Sequence, residues 1–541
     1  MKEQSVSKGF AVLSAAGLVV KVLSFLYIPF LIAIIGDPGY GIYTAAYSVY
    51  VFIYVLTNSG VPVAISKLIS ELAAVKNYKD AIRSFKIARS LLLVLGTVMS
   101  LLLLAAAKSL AVLVKFPEAH LAIMALSPTL LFTAVASAYR GYFQGRGNMT
   151  PTAISQILEQ VINTVFTLLF AYLLLRYGVA AACAGGTIGT SLGALVAAGY
   201  LVISYRRNRK FVVGKGEAHL PVQRLSYEQL VRRIVAYSVP ITLSVGLTYA
   251  GNLIDTWNTK SRLLAAGFSD ERASALFGYL SRYVQLMNVP IALITSLAAA
   301  IIPAIAGALA VKNRELTQNR INYAFRLCML IAIPSAAGLA VLSRPIYAFI
   351  GFGESYRIMM YGAVVLVLMC IVQIQNSVLQ SCGKLYVVTF NLLWGIIIKV
   401  VLNYLLIAIP SINIYGAIIG SAAGYALPLV LNGIAINRFL KVRINLASIA
   451  LKPAVSSVVM SLGAGLSYLG LSKLLSFAGE GYLTNAIAVV AAIGVGGILY
   501  FYVLVLMGGI TAEDLNSVPG GLRRFIPSGL LQRLQNREQK I

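Results

Sequence analysis

Apolar residues run in blocks of membrane-spanning length along nearly the whole chain, separated by short polar intervals. A helix needs about 20 mainly apolar residues to cross a bilayer. On that criterion the pattern predicts about fourteen membrane helices, at approximately 9–35, 40–66, 86–107, 119–143, 151–176, 178–205, 234–259, 274–311, 321–343, 358–381, 385–409, 413–437, 450–472 and 483–509. The second and eighth are long enough to tilt or to project from the membrane. The first is too long for a signal-peptide core and lacks a small-residue cleavage site, which predicts a retained helix.

Composition agrees with the pattern. Of 541 residues, 59% are hydrophobic and 11% charged, against roughly a quarter charged in a soluble domain. That excludes a water-soluble enzyme, and the wealth of aliphatic and aromatic residues excludes disorder. Lys plus Arg number 44 against 17 Asp plus Glu. In a soluble chain this excess would suggest nucleic acid; here it suggests basic loops on the cytoplasmic side. With the N-terminus inside, thirty-two basic residues fall on inner segments and nine on outer ones, leaving Lys21, Arg282 and Lys399 within spans. Both termini are therefore expected in the cytoplasm of a multi-pass membrane protein. The sequon Asn148-Met149-Thr150 then lies on an inner loop, as a chance match. Cys183, Cys328, Cys370 and Cys382 have neither metal-ligand nor redox spacing, and are expected to be packing residues.

The chain also resembles itself. Val75-Lys76-Asn77 recurs as Val311-Lys312-Asn313, Pro62 with its neighbours as Pro303 with its own, Phe143-Gln144-Gly145-Arg146-Gly147 as Leu379-Gln380-Ser381-Cys382-Gly383, and Tyr177-Gly178 as Tyr415-Gly416. The offsets stay between 236 and 241 and the order is kept, which predicts a repeat of spans one to six in spans seven to twelve. Six spans are an even number, so the halves keep one orientation, as in parallel-repeat transporters. The expected division is an N-lobe at 1–205, a basic linker at 206–233, a C-lobe at 234–440, two further spans at 441–509 and a basic tail at 510–541. Two lobes facing a central cavity would follow.

Polar residues inside spans mark where that cavity is expected, since mid-span charges usually face protein or water. Span five carries Gln156, Glu159, Gln160 and Asn163 on one helical face. Span one carries Lys21, and span seven carries Asn252, Asp255, Thr256 and Thr259. Aligning Gly36 with Gly267 sets Lys21 against Asn252 and Ser24 against Asp255. Span eight adds Arg282, Gln285 and Asn288, and Asn58 closes span two. Most Asn, Gln and Thr positions can equally be interhelical glue; Lys21, Glu159, Asp255 and Arg282 are expected to face the cavity. Lys399 fits a cavity role and a snorkelling one equally.

Some chemistry is missing from the sequence. The two histidines, His120 and His219, lie apart, and Gly383-Lys384 is followed by Leu385 rather than Ser or Thr. Neither a His-based centre, a nucleotide site nor any cofactor is expected.

Gly39-Tyr40-Gly41-Ile42-Tyr43, the stretch from Tyr139-Arg140-Gly141 through Thr150-Pro151-Thr152 to Glu159-Gln160, and Asn252-Leu253-Ile254-Asp255-Thr256 carry a family resemblance. The chain resembles the oligosaccharide-flippase branch of the multidrug, oligosaccharidyl-lipid and polysaccharide exporter superfamily. Within it, it looks most like the Gram-positive stage V sporulation protein B and lipid II flippase group. The resemblance implies export of an undecaprenyl-diphosphate-linked sugar by alternating access. Gram-negative lipid II flippases of this kind use cavity arginines. Here Lys21 and Gln285 stand where two are expected, with Arg282 one turn before Gln285, and Tyr27 stands where another would fall.

A desolvated cation suits a diphosphate, and amides suit its sugars. The expected substrate-binding set is therefore Lys21, Arg282, Gln285, Asn58, Glu159, Gln156 and Asn163. Arg140 is the expected gate, holding the entering diphosphate or pairing with an acid. Asp255, with Asn252, Thr256 and Thr259, is the expected coupling site for Na+ or a proton; the alternative for Asp255 is a static pair with Lys21. The rival functions are multidrug extrusion, which would favour an acidic aromatic pocket, and a membrane glycosyltransferase, disfavoured by short outer loops.

Overall fold

The computed structural model describes residues 6–208, 224–310, 313–441, 444–476 and 481–509. The tail at 510–541 and part of the 206–233 linker lie outside the described residues. Among those described, sixteen α-helices follow one another: α1 (Val6–Leu26), α2 (Ile28–Asn58), α3 (Gly60–Ala74), α4 (Tyr78–Leu113), α5 (His120–Gly145), α6 (Thr150–Leu174), α7 (Val179–Asn208), α8 (Tyr227–Ala265), α9 (Asp270–Ala310), α10 (Arg314–Val341), α11 (Ser343–Ile350), α12 (Tyr356–Ser381), α13 (Leu385–Leu406), α14 (Tyr415–Leu440), α15 (Leu446–Ser476) and α16 (Tyr482–Leu506). The protein is an all-α, multi-pass membrane protein. Among the described residues twelve helical runs are long and apolar enough to cross a membrane, against about fourteen expected.

One of those runs, Ile28–Ala73, is 46 residues long, about 69 Å at helical rise and far beyond a bilayer. The reason lies at Gly36, whose φ of 72° and ψ of 176° are non-helical and essentially reserved for glycine. The hydroxyls of Tyr27 and Tyr43 meet at 3.3 Å. In a straight helix those residues would lie about 24 Å apart along the axis. The chain therefore folds back at Gly36, with Pro38 opening the returning segment, between the first two expected spans.

The repeated motifs have matching local structures. Asn77 caps α4 by accepting from Asp80 N, and Asn313 caps α10 by accepting from Leu316 N. After α5, Gly147 N donates to Gln144 O and Asn148 N to Phe143 O, at 2.9 and 3.0 Å. After α12, Gly383 N donates to Gln380 O and Lys384 N to Leu379 O, again at 2.9 and 3.0 Å. Both are the glycine-closed helix ends that a left-handed residue permits, with φ of 67° and 72°.

Packing divides the chain into two compact units, Met1–Ser281 with Asn403–Ile414, and Arg282–Leu402 with Tyr415–Ile541. This differs from the lobe boundaries expected from the repeat, because α8 lies against α3 and α2. A Cβ on Gly60 would stand 2.1 Å from the Ser238 carbonyl oxygen, and one on Gly41 2.1 Å from that of Ser274. Bare backbone at these points lets the helices touch.

In the second unit α12 packs on α10 and α14, and α15 on α10 and α16. The eight-residue α11, not foreseen in the sequence, buries Tyr347, while Phe352 just after it is also buried.

Candidate functional site

The polar face of α6 is held in place by its neighbour. Gly185, Gly189 and Gly193 form a stripe along α7, and Cβ atoms there would lie 2.4 Å from Phe170 O, 2.4 Å from Thr167 N and 2.5 Å from Glu159 O. The two backbones are thus in direct contact, as small residues at four-residue spacing allow. Thr190 of α7 and Thr167 of α6 both donate to Asn163 Oδ1, at 3.1 and 2.9 Å.

Arg140 comes from α5. Its Nε donates to Ser155 Oγ at 3.0 Å and its Nη2 to Glu159 Oε2 at 2.6 Å. Ser155 Oγ in turn donates a hydrogen bond to the Thr152 carbonyl at 2.7 Å. The ion pair is only partly covered, with side-chain exposures of 15% for Arg140 and 26% for Glu159. Gln156, Gln160 and Asn163 are likewise half-buried. The first unit therefore sets Arg140 of α5 against Glu159, on the α6 face that also carries Gln156 and Asn163.

A row of tyrosines, which the sequence reading passed over, adds to this region. Tyr40, Tyr43, Tyr47, Tyr50 and Tyr54 follow at alternating three- and four-residue steps on α2, with successive ring centroids 6.3, 4.8, 6.0 and 5.9 Å apart. Tyr47 hydrogen-bonds Thr190. Tyr47, Tyr50 and Tyr54 lie within electrostatic range of Glu159, and Tyr54 also of Arg140. The three-four spacing was the available signal.

The second polar group centres on Asp255. Its Oδ1 accepts from Asn403 Nδ2 at 3.1 Å, and two turns further along α8 the Arg262 guanidinium lies 4.1 Å over the Tyr404 ring. Asn403 belongs to α13 but packs with the first unit. Of the expected coupling set, Thr256 donates to the Asn252 carbonyl at 3.0 Å, and the Asn252 side chain is exposed. The buried Thr259 Oγ1 and Asn403 Oδ1 have no hydrogen-bond partner. Such oxygens suit a small hard cation. Among the described residues no three His, Cys, Asp or Glu side chains converge.

The remaining candidates are dispersed. Lys21 is exposed on α1 and forms no ion pair with Asp255. Asn58 is buried, donating to Thr57 Oγ1 at 2.6 Å, with its own oxygen unpartnered. Gln285 is half-buried on α9. Arg282, expected to face a cavity, is instead wholly covered inside the second unit. Its Nη1 donates to the Phe352 carbonyl at 2.8 Å and its guanidinium lies 5.8 Å from that ring. A side chain without accessible surface presents nothing to a ligand in this arrangement, and the α11 region that covers it was the element missed in the sequence.

Comparison with known proteins agrees with the fold and narrows the family. The chain is 27% identical to "Lipid II flippase MurJ" of Bacillus subtilis (strain 168), over 96% of this chain and 98% of the relative. It is also 27% identical to "Stage V sporulation protein B" of the same organism, again over 96% and 98%. Among solved structures, "Lipid II flippase MurJ, inward closed conformation" superposes with a TM-score of 0.67 at 14% identity, covering 92% of this chain and 98% of that one; at that identity the likeness is one of fold. The polysaccharide biosynthesis protein family matches residues 6–308, over half the chain, and the protein belongs to that family.

Proposed function

We propose that the protein is a flippase that carries an undecaprenyl-diphosphate-linked sugar, lipid II or a related cell-wall precursor, from the cytoplasmic to the outer leaflet by alternating access. The observation that carries this reading is a half-covered arginine, Arg140, set beside the amides of Gln156, Gln160 and Asn163 and the tyrosine row of α2. An arginine matches phosphate oxygens; amides and aromatic faces match sugar hydroxyls and ring edges. A relative similar over nearly its full length and named as a lipid II flippase supports the same class of cargo. The cationic Lys21 and Arg140 disfavour a pocket built for cationic drugs.

In this reading both termini are cytoplasmic, as the distribution of Lys and Arg indicates, and the two six-span halves are parallel repeats. Asp255 couples transport to Na+ or a proton, its carboxylate and the unpartnered Asn403 and Thr259 oxygens forming the ion site. Purified protein in liposomes, assayed for movement of lipid II, other undecaprenyl-diphosphate sugars and cationic dyes, tests the assignment. Movement of a diphosphate-linked sugar and not of dyes is expected; dye transport alone overturns it.

A further inference from the structure

We propose that Glu159 occupies, as an internal competitor, a phosphate-oxyanion subsite on Arg140, so that the subsite takes a phosphate only when the carboxylate lets go. The inference rests on the flippase reading for its biological ligand, but the geometry for it lies within the first unit.

Arg140 is held from one side independently of Glu159. Ser155 Oγ accepts from Nε at 3.0 Å and is itself oriented by donating to the Thr152 carbonyl. Glu159 then uses a single oxygen on a single nitrogen, Nη2, at 2.6 Å. Among the described residues Nη1 has no hydrogen-bond partner. A guanidinium presents paired donors suited to two oxygens of one anion, and here the edge formed by Nη1 and Nη2 is only half used. A pair serving architecture alone gains most from closed, two-point contact away from water. This one is single-point, and its acid is more exposed than its base, so the carboxylate can turn away while Ser155 keeps the guanidinium in place.

The neighbours make the exchange selective. Gln156 and Asn163 flank Glu159 on the same face of α6, one turn before and one after. A phosphate on Arg140 would therefore carry any attached sugar toward amide groups. Glu159 and a bound phosphate would repel each other, so the two states of Arg140 are mutually exclusive. An anion reaching Arg140 could come from a lipid-linked diphosphate, a phospholipid headgroup or free phosphate, all with the same oxyanion chemistry.

The test uses full-length protein in phosphatidylcholine nanodiscs, titrated with inorganic pyrophosphate and with geranyl diphosphate by calorimetry. Glu159→Gln should tighten both dissociation constants at least about tenfold, the factor carried by about 1.4 kcal/mol. Arg140→Ala and the Arg140→Ala/Glu159→Gln pair should abolish the gain. Repeating the titration in phosphatidylglycerol nanodiscs identifies the source: competition by the headgroups should erase the gain if phospholipid is the natural occupant, and leave it if a diphosphate is. An unchanged affinity in Glu159→Gln overturns the proposal.

Protection provides a readout with Glu159 intact. In Gln156→Cys, pyrophosphate should slow thiol labelling at position 156, measured by mass spectrometry, and an unchanged labelling rate again overturns it. Failure of these binding tests in a protein that still flips lipid-linked sugar removes the subsite and leaves the function; failure of flipping with binding retained does the reverse.

Discussion

Lys260 at the end of α8 and Asp270 at the start of α9 meet at 3.0 Å, yet Lys260 has no exposed surface while the Asp270 carboxylate is 61% exposed. The ammonium also donates to the Asp270 carbonyl at 2.7 Å and to Ser274 Oγ, and lies 4.6 Å from the Phe116 ring. Its surroundings are therefore a backbone oxygen, a hydroxyl and an aromatic face as much as a carboxylate. The charge ties the α8–α9 turn to the segment before α5.

Removing the two partners should consequently have unequal effects. Lys260→Met keeps the volume but loses charged hydrogen bonds worth about 1.5–3 kcal/mol each, and should lower the thermal midpoint of detergent-purified protein by several degrees. Asp270→Asn alters a largely solvated pair of about 1 kcal/mol or less and should barely move it. Equal shifts would mean that the carboxylate dominates.

The α7 glycines supply a test with a built-in control. Gly189→Ala puts a methyl group 2.4 Å from Thr167 N, whereas Gly199→Ala on the same helix meets nothing within 4 Å. The first should cost about 1–3 kcal/mol as an overpacked contact and the second should be neutral or slightly stabilising. Thermal midpoints of the two variants, measured side by side, check the contact.

Lys21 separates transport from stability. Exposed and without an ion pair among the described residues, it should tolerate Lys21→Ala within about 0.5 kcal/mol. If the cation meets the diphosphate during transport, the same change should nevertheless abolish flipping, and Lys21→Arg should retain part of it. Normal transport by Lys21→Ala removes the residue from the cargo path.

For Asp255, the informative change is Asp255→Asn, which keeps the shape and the Asn403 contact but not the charge. One charge moved through 100 mV is worth about 2.3 kcal/mol, so loss of a coupling charge should flatten the response of liposome transport to imposed Na+, proton or voltage gradients. An unchanged gradient dependence excludes Asp255. Asn403→Ala should weaken coupling in the same direction if its oxygen belongs to the ion site.

What the sequence disclosed depended on the range of the interaction. The matches of Asn77 with Asn313 and of Gly147 with Gly383 were visible in the sequence, and each pair does a local job, capping a helix start or closing a helix end. The α6 stripe was readable because helical periodicity is local as well. Arg282 was not, because the Phe352 carbonyl that engages it lies 70 residues on, behind a helix too short to show a hydropathy run. The Asp255–Asn403 contact spans 148 residues, and no spacing rule reaches that far. Arg140 stood between two readings in the sequence, gate or ion pair; the structure shows the pair, and with it the unused edge of the guanidinium.

The bare-backbone seam between α6 and α7 has a mechanical consequence. Helices that mesh through long side chains can slide by exchanging rotamers, as in shear motions. Here three glycines press against main chain, and the Thr190–Asn163 hydrogen bond pins the contact. The two helices should move as one beam. A change of state that alters access to Glu159 and Asn163 must then bend the chain at the ends of that beam, or shift α2 and α5 across it, rather than open the seam itself.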